Sequence, residues 1–265
     1  MLGLGKNMVE SLSYWVEFFG VVEPMELGTQ PAPTEFGRLI FGAKGHDRYL
    51  ENEQTLWLLH WHGTAASPRP FFAWHWVFNV HLEPEFTHAE ALKAFKAHCA
   101  TYARPLSDTT VRQHLDVFLA TYVASRPSAG TVAEDMLDSP LAALGLIREN
   151  DLAEGGRARE KGYVVDVGRK PTLSDEVFRF ALHEWWNRDH ANEETISYRQ
   201  ICTGESSPGR VFRLPEQDVQ ERLERLVGGW PKELSLTESN HQRVVKRSRA
   251  PELSALLHNV YDCST

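Results

Sequence analysis

The stretch Leu234–Arg247, LSLTESNHQRVVKR, sets apolar residues on both sides of a polar tip. Leu234, Leu236 and Thr237 lead in, Glu238-Ser239-Asn240-His241 form the tip, and Val244-Val245-Lys246 lead out. This is the pattern of a strand–turn–strand hairpin. Upstream, Leu173-Ser174 opens a helix running to about Arg188, with Val177, Phe178, Ala181, Leu182 and Trp185 as its apolar stripe. Ile196–Ile201 reads as a short strand and helix, and Glu216–Leu226 as a second long helix. Pro251–Tyr261 closes the chain as a terminal helix. Helices followed by a hairpin are the order of a winged helix-turn-helix, which lays a helix in the major groove with the hairpin beside it.

The same order is read a second time at the start of the chain. In LGLGKNMVESLSYWVEFFGVVEP, residues 2–24, Gly3 and Gly5 mark a turn and Asn7 is the predicted cap. Glu10 stands three residues on, as in a capping box. Val9, Leu12, Trp15, Val16 and Phe19 share one face, and Gly20 ends the helix. Val21-Val22 and Thr34–Gly42, TEFGRLIFG, are read as strands about a Pro-rich turn, giving a helix with its wing. Between the two modules lies a helical core block. It comprises Glu51–Trp61, the almost wholly apolar Phe71–Val80, the amphipathic Thr87–Tyr102, and a helix capped at Leu106-Ser107-Asp108 that runs to Val123. Ser125–Gly130 is a turn cluster, followed by a short helix at Pro140–Leu144, apolar Leu146-Ile147 and the extended run Gly162–Val167. Asp151–Lys161 is expected to be a flexible loop. The expected fold is mainly α with small β-wings: winged helix-turn-helix elements around a helical core block, divided as 1–50, 51–130 and 131–265.

Composition narrows the function classes. The 265 residues are 42% hydrophobic and 11% aromatic with 8 Trp, enough to build a packed core. No apolar run is long enough to span a bilayer and no signal peptide opens the chain. Cys99, Cys202 and Cys263 are odd in number and far apart, which fits neither a disulfide framework nor a zinc site and points to a reducing cytoplasm. The net charge of −8 argues against indiscriminate coating of nucleic acid, so the placement of charge decides.

That placement favours the hairpin. Arg243, Lys246, Arg247 and Arg249 fall on or just past it, with no acid between Glu238 and Glu252, where phosphate contacts are expected. Ser206–Arg213, SSPGRVFR, adds Arg210 and Arg213 at a helix entrance. Lys6 and Asn7 open the first helix, where they either hold a DNA phosphate or simply cap it. GLGKN lacks the upstream Gly and the following Ser or Thr of a phosphate loop, so no nucleotide site is expected.

The 12 histidines suggest metal chemistry less than they first promise. His60, His62, His75 and His81 read as core or boundary histidines. HEWWN, residues 183–187, has Asn187 in place of the second histidine of a zincin, and no zinc is predicted. His183, Asn187 and His190 recur at i, i+4 and i+7, with Asp189 and Glu194 near them. His183 and His190 are thus candidates for holding Mg²⁺ or Mn²⁺ in phosphodiester hydrolysis, against a plain polar helix face. Asp47 and Glu51, in a cluster with His46 and Glu53, are further metal candidates, against the capping of the next helix.

The runs LGLGKNMVESLSYWVEFFGVVE, TEFGRLIFG, DRYLENEQTLWLLHW, EDMLDSPLAALGLI and SSPGRVFRLPE together resemble the SspB-like family of bacterial DNA phosphorothioation and phage-defence systems. The resemblance extends over most of the chain. It implies a cytoplasmic protein that engages DNA beside the other proteins of a sulfur-modification cassette, and that nicks one strand. It implies no particular catalytic residue. The expectation is a DNA-binding component of such a system, with a homo-oligomer as a compatible assembly. A non-catalytic adaptor and a winged-helix transcriptional regulator are the alternatives.

Overall fold

The computed structural model describes residues 5–24, 31–65, 73–102, 106–124, 139–152, 160–239 and 242–262. Among these residues it is mainly helical, with two small three-stranded sheets. The chain forms two compact units: a larger one from residues 1–67 and 169–265, and an inserted one from 68–168. These bounds differ from the sequence division at 50 and 130, because the chain leaves the larger unit and returns to it.

In the larger unit α1 (Lys6–Phe18) starts from Gly5, whose carbonyl accepts from the Met8 and Val9 N–H groups. Asn7 is therefore inside the first turn and is not the cap. After Gly20, which takes φ +67°, Val22 makes an isolated bridge to Pro33. The predicted strand at Thr34–Gly42 is instead a helix, α2 (Glu35–Phe41). Thr34 Oγ1 accepts from the Gly37 N–H at 2.9 Å and donates to the Gly20 carbonyl at 2.6 Å. Phe36 and Ile40, four apart, are buried together on its inner side. At Gly37 a Cβ would stand 2.0 Å from the Val21 carbonyl oxygen, so only glycine lets α2 lie against the chain there. Thr34→Ala should cost about 1 kcal/mol in a denaturant melt, the usual worth of such a cap. A variant as stable as the wild type would deny the cap that role.

α3 (Glu53–Ala65) is buried on nearly every side, including Trp57, Trp61 and His60. It packs with α7 (Asp175–Asp189), whose cap Ser174 accepts from the Val177 N–H at 3.1 Å. Then come β4 (Thr195–Ser197), α8 (Tyr198–Thr203), α9 (Pro208–Val211), α10 (Glu216–Gly229), β5 (Leu234–Ser239), β6 (Gln242–Arg247) and α11 (Leu253–Asp262). The three strands are antiparallel in the order β4-β6-β5, with Val245 between Ile196 and Leu236. The hairpin thus forms where the sequence predicts it. Asn240 and His241 of its expected tip lie outside the described residues.

The inserted unit runs α4 (Ala73–His75) into a π-helical turn at Trp76–Val80, then β1 (Glu85–Thr87), α5 (His88–Cys99) and α6 (Asp108–Tyr122). A 3₁₀ turn at Pro140–Leu144 precedes β2 (Ile147–Leu152) and β3 (Glu160–Val165). Its strand order, β1-β3-β2, repeats that of the other sheet. Both sheets begin with a three-residue strand whose last residue opens a capping box, Thr87 with Glu90 and Ser197 with Gln200. The second copy of the strand–helix–helix–hairpin order therefore lies at 85–165 and not at the N-terminus. Strand pairing reaches Leu152 and Glu160, so both ends of the expected 151–161 loop are strand, and its middle lies outside the described residues.

Candidate nucleic-acid interface

Side chains alternate across a strand, so the basic residues of β6 do not all lie on one face of its sheet. Arg243, Val245 and Arg247 fall on one face of β6 and Lys246 on the other. Val245 is fully buried. Arg247 is drawn inward with it: Nη1 donates to Asn187 Oδ1 at 2.6 Å, and the guanidinium sits 4.8 Å from the centre of the Trp186 ring. Partial burial lowers its pKa. Arg247, half-buried, thus ties β6 to the end of α7.

Arg243, Lys246 and Arg249 are exposed. Lys246 Nζ is 4.0 Å from the Glu194 carboxylate, a loose pair on a solvated surface. Arg243 edges a cleft of about 220 Å³ whose floor is Leu223 and Leu236 and whose other side is α10, through Gln220 and Glu224.

Arg210 and Arg213 are half-buried and stand apart from the hairpin cations in their surroundings. Ser207 caps α9 by accepting from the Arg210 N–H, and the chain then turns through Arg213 at φ +52°. Burial first, and the neighbouring Arg210 charge second, lower the Arg213 pKa to about 10. The turn is held by Gly209, where a Cβ would meet the carbonyl oxygens of Ile201 and Cys202 at 2.6 Å. Lys6 and Asn7 occupy the first turn of α1.

The histidine candidates are not brought together at a solvent face. His183 is fully buried, its Nε2 3.7 Å from Glu233 Oε2. Arg179 grips the same carboxylate, with Nε at 3.1 Å and Nη2 at 2.7 Å, and lies 4.1 Å from the Trp230 ring centre. Burial, then the charges of Arg179 and Arg247, push the His183 pKa down to about 3, so its ring is neutral. The expected polar face of α7 is core at this position. His190, at the end of α7, instead pairs through Nδ1 with Glu193 at 2.7 Å and packs edge-on against Trp185. Asp47 is buried and accepts from the backbone N–H groups of Glu51 at 2.8 Å and Asn52 at 3.0 Å, which is a capping role. Glu51 is exposed. Among the described residues no three His, Cys, Asp or Glu side chains form a group able to hold a metal ion.

The inserted unit holds a polar groove that the motif reading passed over. His88 Nε2 lies 2.6 Å from Asp116 Oδ1, and Lys161 Nζ 2.8 Å from Glu149 Oε1. Both pairs border a cleft of about 360 Å³ with Tyr163 and Leu119. The signal was there in Thr87-His88-Ala89-Glu90, a capping box that matches Ser197–Gln200 in form.

Three comparisons place the chain among known proteins. The profile of a family described as a protein of unknown function, DUF4007, matches residues 1–261. No curated protein matches the sequence. Two solved structures match closely: one described as a magnesium ion-bound SspB crystal structure, TM-score 0.82, and one as an SspB crystal structure, TM-score 0.79. Each is 27% identical, with 98% of this chain and 77% of the other covered. In this chain Asp47 is spent on backbone N–H groups and His183 is sealed in the core.

Proposed function

The chain belongs to the DUF4007 family, and from that membership, its likeness to SspB and the charge on its hairpin we propose that it is a DNA-binding component of a bacterial phosphorothioation-associated antiphage system. The observation that carries the reading is the exposure of Arg243, Lys246 and Arg249 along one hairpin and its exit. Cations so placed bind phosphates, and release of the duplex counterions supplies the affinity. The repeated strand order and the helices ahead of each hairpin support a winged-helix reading, in which the hairpin lies against the backbone beside the groove.

The chain's own residues favour holding DNA over cutting it. His183 packs in the core, His190 pairs with Glu193 and Asp47 caps a helix, so none of these three is set to activate a water. The protein then works as an adaptor that presents DNA to the other cassette proteins in the cytoplasm. A second reading, metal-dependent nicking of one strand, is favoured by the magnesium ion named for its SspB relative. It calls for ligands other than those three residues.

Arg243→Ala, Lys246→Ala and Arg249→Ala combined should weaken duplex binding in a gel shift. The slope of log K against log salt should fall by about 2.7, that is about 0.9 for each phosphate no longer neutralised. An unchanged slope overturns the hairpin as the DNA-binding element. Supercoiled plasmid incubated with Mg²⁺ or with EDTA separates the two readings: bound but uncut plasmid supports the adaptor, and magnesium-dependent open circles the nickase.

A further inference from the structure

The two sheets allow the modules to be matched residue by residue. Thr87 pairs with Gly162 on β3, and Ser197 with Val244 on β6. Lys161 therefore corresponds to Arg243, and His88 to Tyr198, the first helical residue after each cap. By the same match α5 stands for α8 and α6 for α10, the helix pairs that a winged helix brings towards the duplex.

The long helices of the two pairs, α10 and α6, differ in the charges they leave unpaired, while α8 exposes one cation, Arg199. α10 exposes Glu216, Gln217 and Glu224, and its exposed cation, Arg225, is held by Asp175, with Nη2 at 2.9 Å from Oδ1. A face of that kind is repelled by a phosphate backbone. α6 exposes Arg112 and Gln113, and α5 exposes Lys93, beside a depression of about 460 Å³ between the two helices. The exposed carboxylates of the two helices are already taken: Asp108 by Lys96 and Asp116 by His88, each at 2.6 Å, and Glu90 by the backbone N–H and hydroxyl of Thr87 in the cap of α5. Lys93 and Arg112 are left with no carboxylate partner among the described residues. Two exposed cations, one on each helix of the pair, flank a concavity and are not neutralised.

Resting on the DNA-binding reading above, we propose that the α5–α6 face of the inserted unit is a nucleic-acid contact in which Lys93 and Arg112 meet phosphates of the duplex backbone, and that the acidic α10 face of the larger unit stays out of the groove. The contact is with backbone, so it adds affinity and orientation without base preference.

Fluorescence anisotropy of the full chain with a labelled duplex of mixed sequence tests this across a salt series. Lys93→Ala with Arg112→Ala should lower the salt slope by about 1.8, at about 0.9 per phosphate, whereas Gln217→Ala on α10 should leave slope and affinity unchanged. Both replaced positions are exposed and helical, where alanine is favourable, and an unchanged melting temperature verifies the fold. Lys93→Glu alone gives a second reading, with a larger loss of affinity expected than for Lys93→Ala. Unchanged binding by these variants, or a loss confined to Gln217→Ala, overturns the α5–α6 assignment while the hairpin variants still report on DNA binding itself. A wild-type chain that binds no duplex at any salt overturns both.

Discussion

Lowering the pH from 6 to 4 is expected to remove about 5 kcal/mol of stability from this protein. His60 and His183 carry the effect. His60 is fully buried on α3, its Nε2 3.0 Å from the Val211 carbonyl, and burial pulls its pKa down to about 3. His183 is pulled down to about 3 as well, by burial and by two arginines. Both rings are neutral in the folded chain, whereas in the unfolded chain each takes a proton near pH 6.5. The unfolded state therefore binds more protons below pH 6.5, and stability is complete above that value and falls as pH drops towards 3. Each histidine contributes a slope of about 1.4 kcal/mol per pH unit, so the pair gives about 2.7. A loss of about 5 kcal/mol over two units is comparable to the whole stability of many domains. His46 and His114, also lowered by burial, act in the same direction. Urea melts between pH 7 and 4 measure the slope, and His60→Gln or His183→Gln should each reduce it by about half. A stability independent of pH in this range would sink the argument.

The second large effect is expected at Arg222. Its guanidinium is almost fully buried and spends its donors on four acceptors. Nε reaches Asp218 at 3.2 Å, Nη1 reaches Asp175 and the Leu173 carbonyl at 2.9 Å, and Nη2 reaches the Lys170 carbonyl at 3.0 Å. One side chain thus fastens α10 to the chain entering α7. Arg222→Met should destabilise by about 3–5 kcal/mol, because the buried Asp218 carboxylate loses its counter-charge and two carbonyls lose their donor. Adding Asp218→Asn should recover part of the loss, since the orphaned charge is then gone. Exposed pairs such as Arg188 with Asp189 should be worth under about 1 kcal/mol in the same melts. A loss of that smaller size for Arg222→Met would show that the network is not holding the two segments.

What was legible in the sequence was local. Ser107 and Ser174 cap helices where their spacing to the next apolar face predicts, and LSLTESNHQRVVKR pairs Leu234 with Arg247 as its alternation requires. Where two periods compete, local reading fails: Phe36, Arg38 and Ile40 alternate like a strand, yet Phe36 and Ile40 are also four apart, and the Thr34 cap decides for helix. The repeat stayed hidden because Glu85–Glu90 and Thr195–Gln200 share only an apolar residue, a hydroxyl cap and a reaching Glu or Gln. His183 reads as polar surface because its neighbours at i+4 and i+7 are polar. Its burial belongs to a helix packed by α3, α10 and α11, which come from distant parts of the sequence. The candidate interface was half legible, since charge along β6 is visible in the letters but the inward turn of Arg247 onto Trp186 is not.

The insertion of residues 68–168 also sets an order of events during synthesis. The inserted unit is contiguous, so all its described strands have left the ribosome before the first described strand of the larger unit, β4. α3, apolar on nearly every side, emerges early and must wait for distant partners: Trp61 for Glu184, and Thr55 for Tyr261, which arrives with the last turn of the last helix. From the emergence of residue 168 until α11 arrives, the nascent chain therefore carries one finished module and one exposed helix with two tryptophans, the state in which chaperone capture or aggregation competes with folding. Slow codons or a pause would serve this protein best after residue 168, once the insert is out, and would harm it most just after α3.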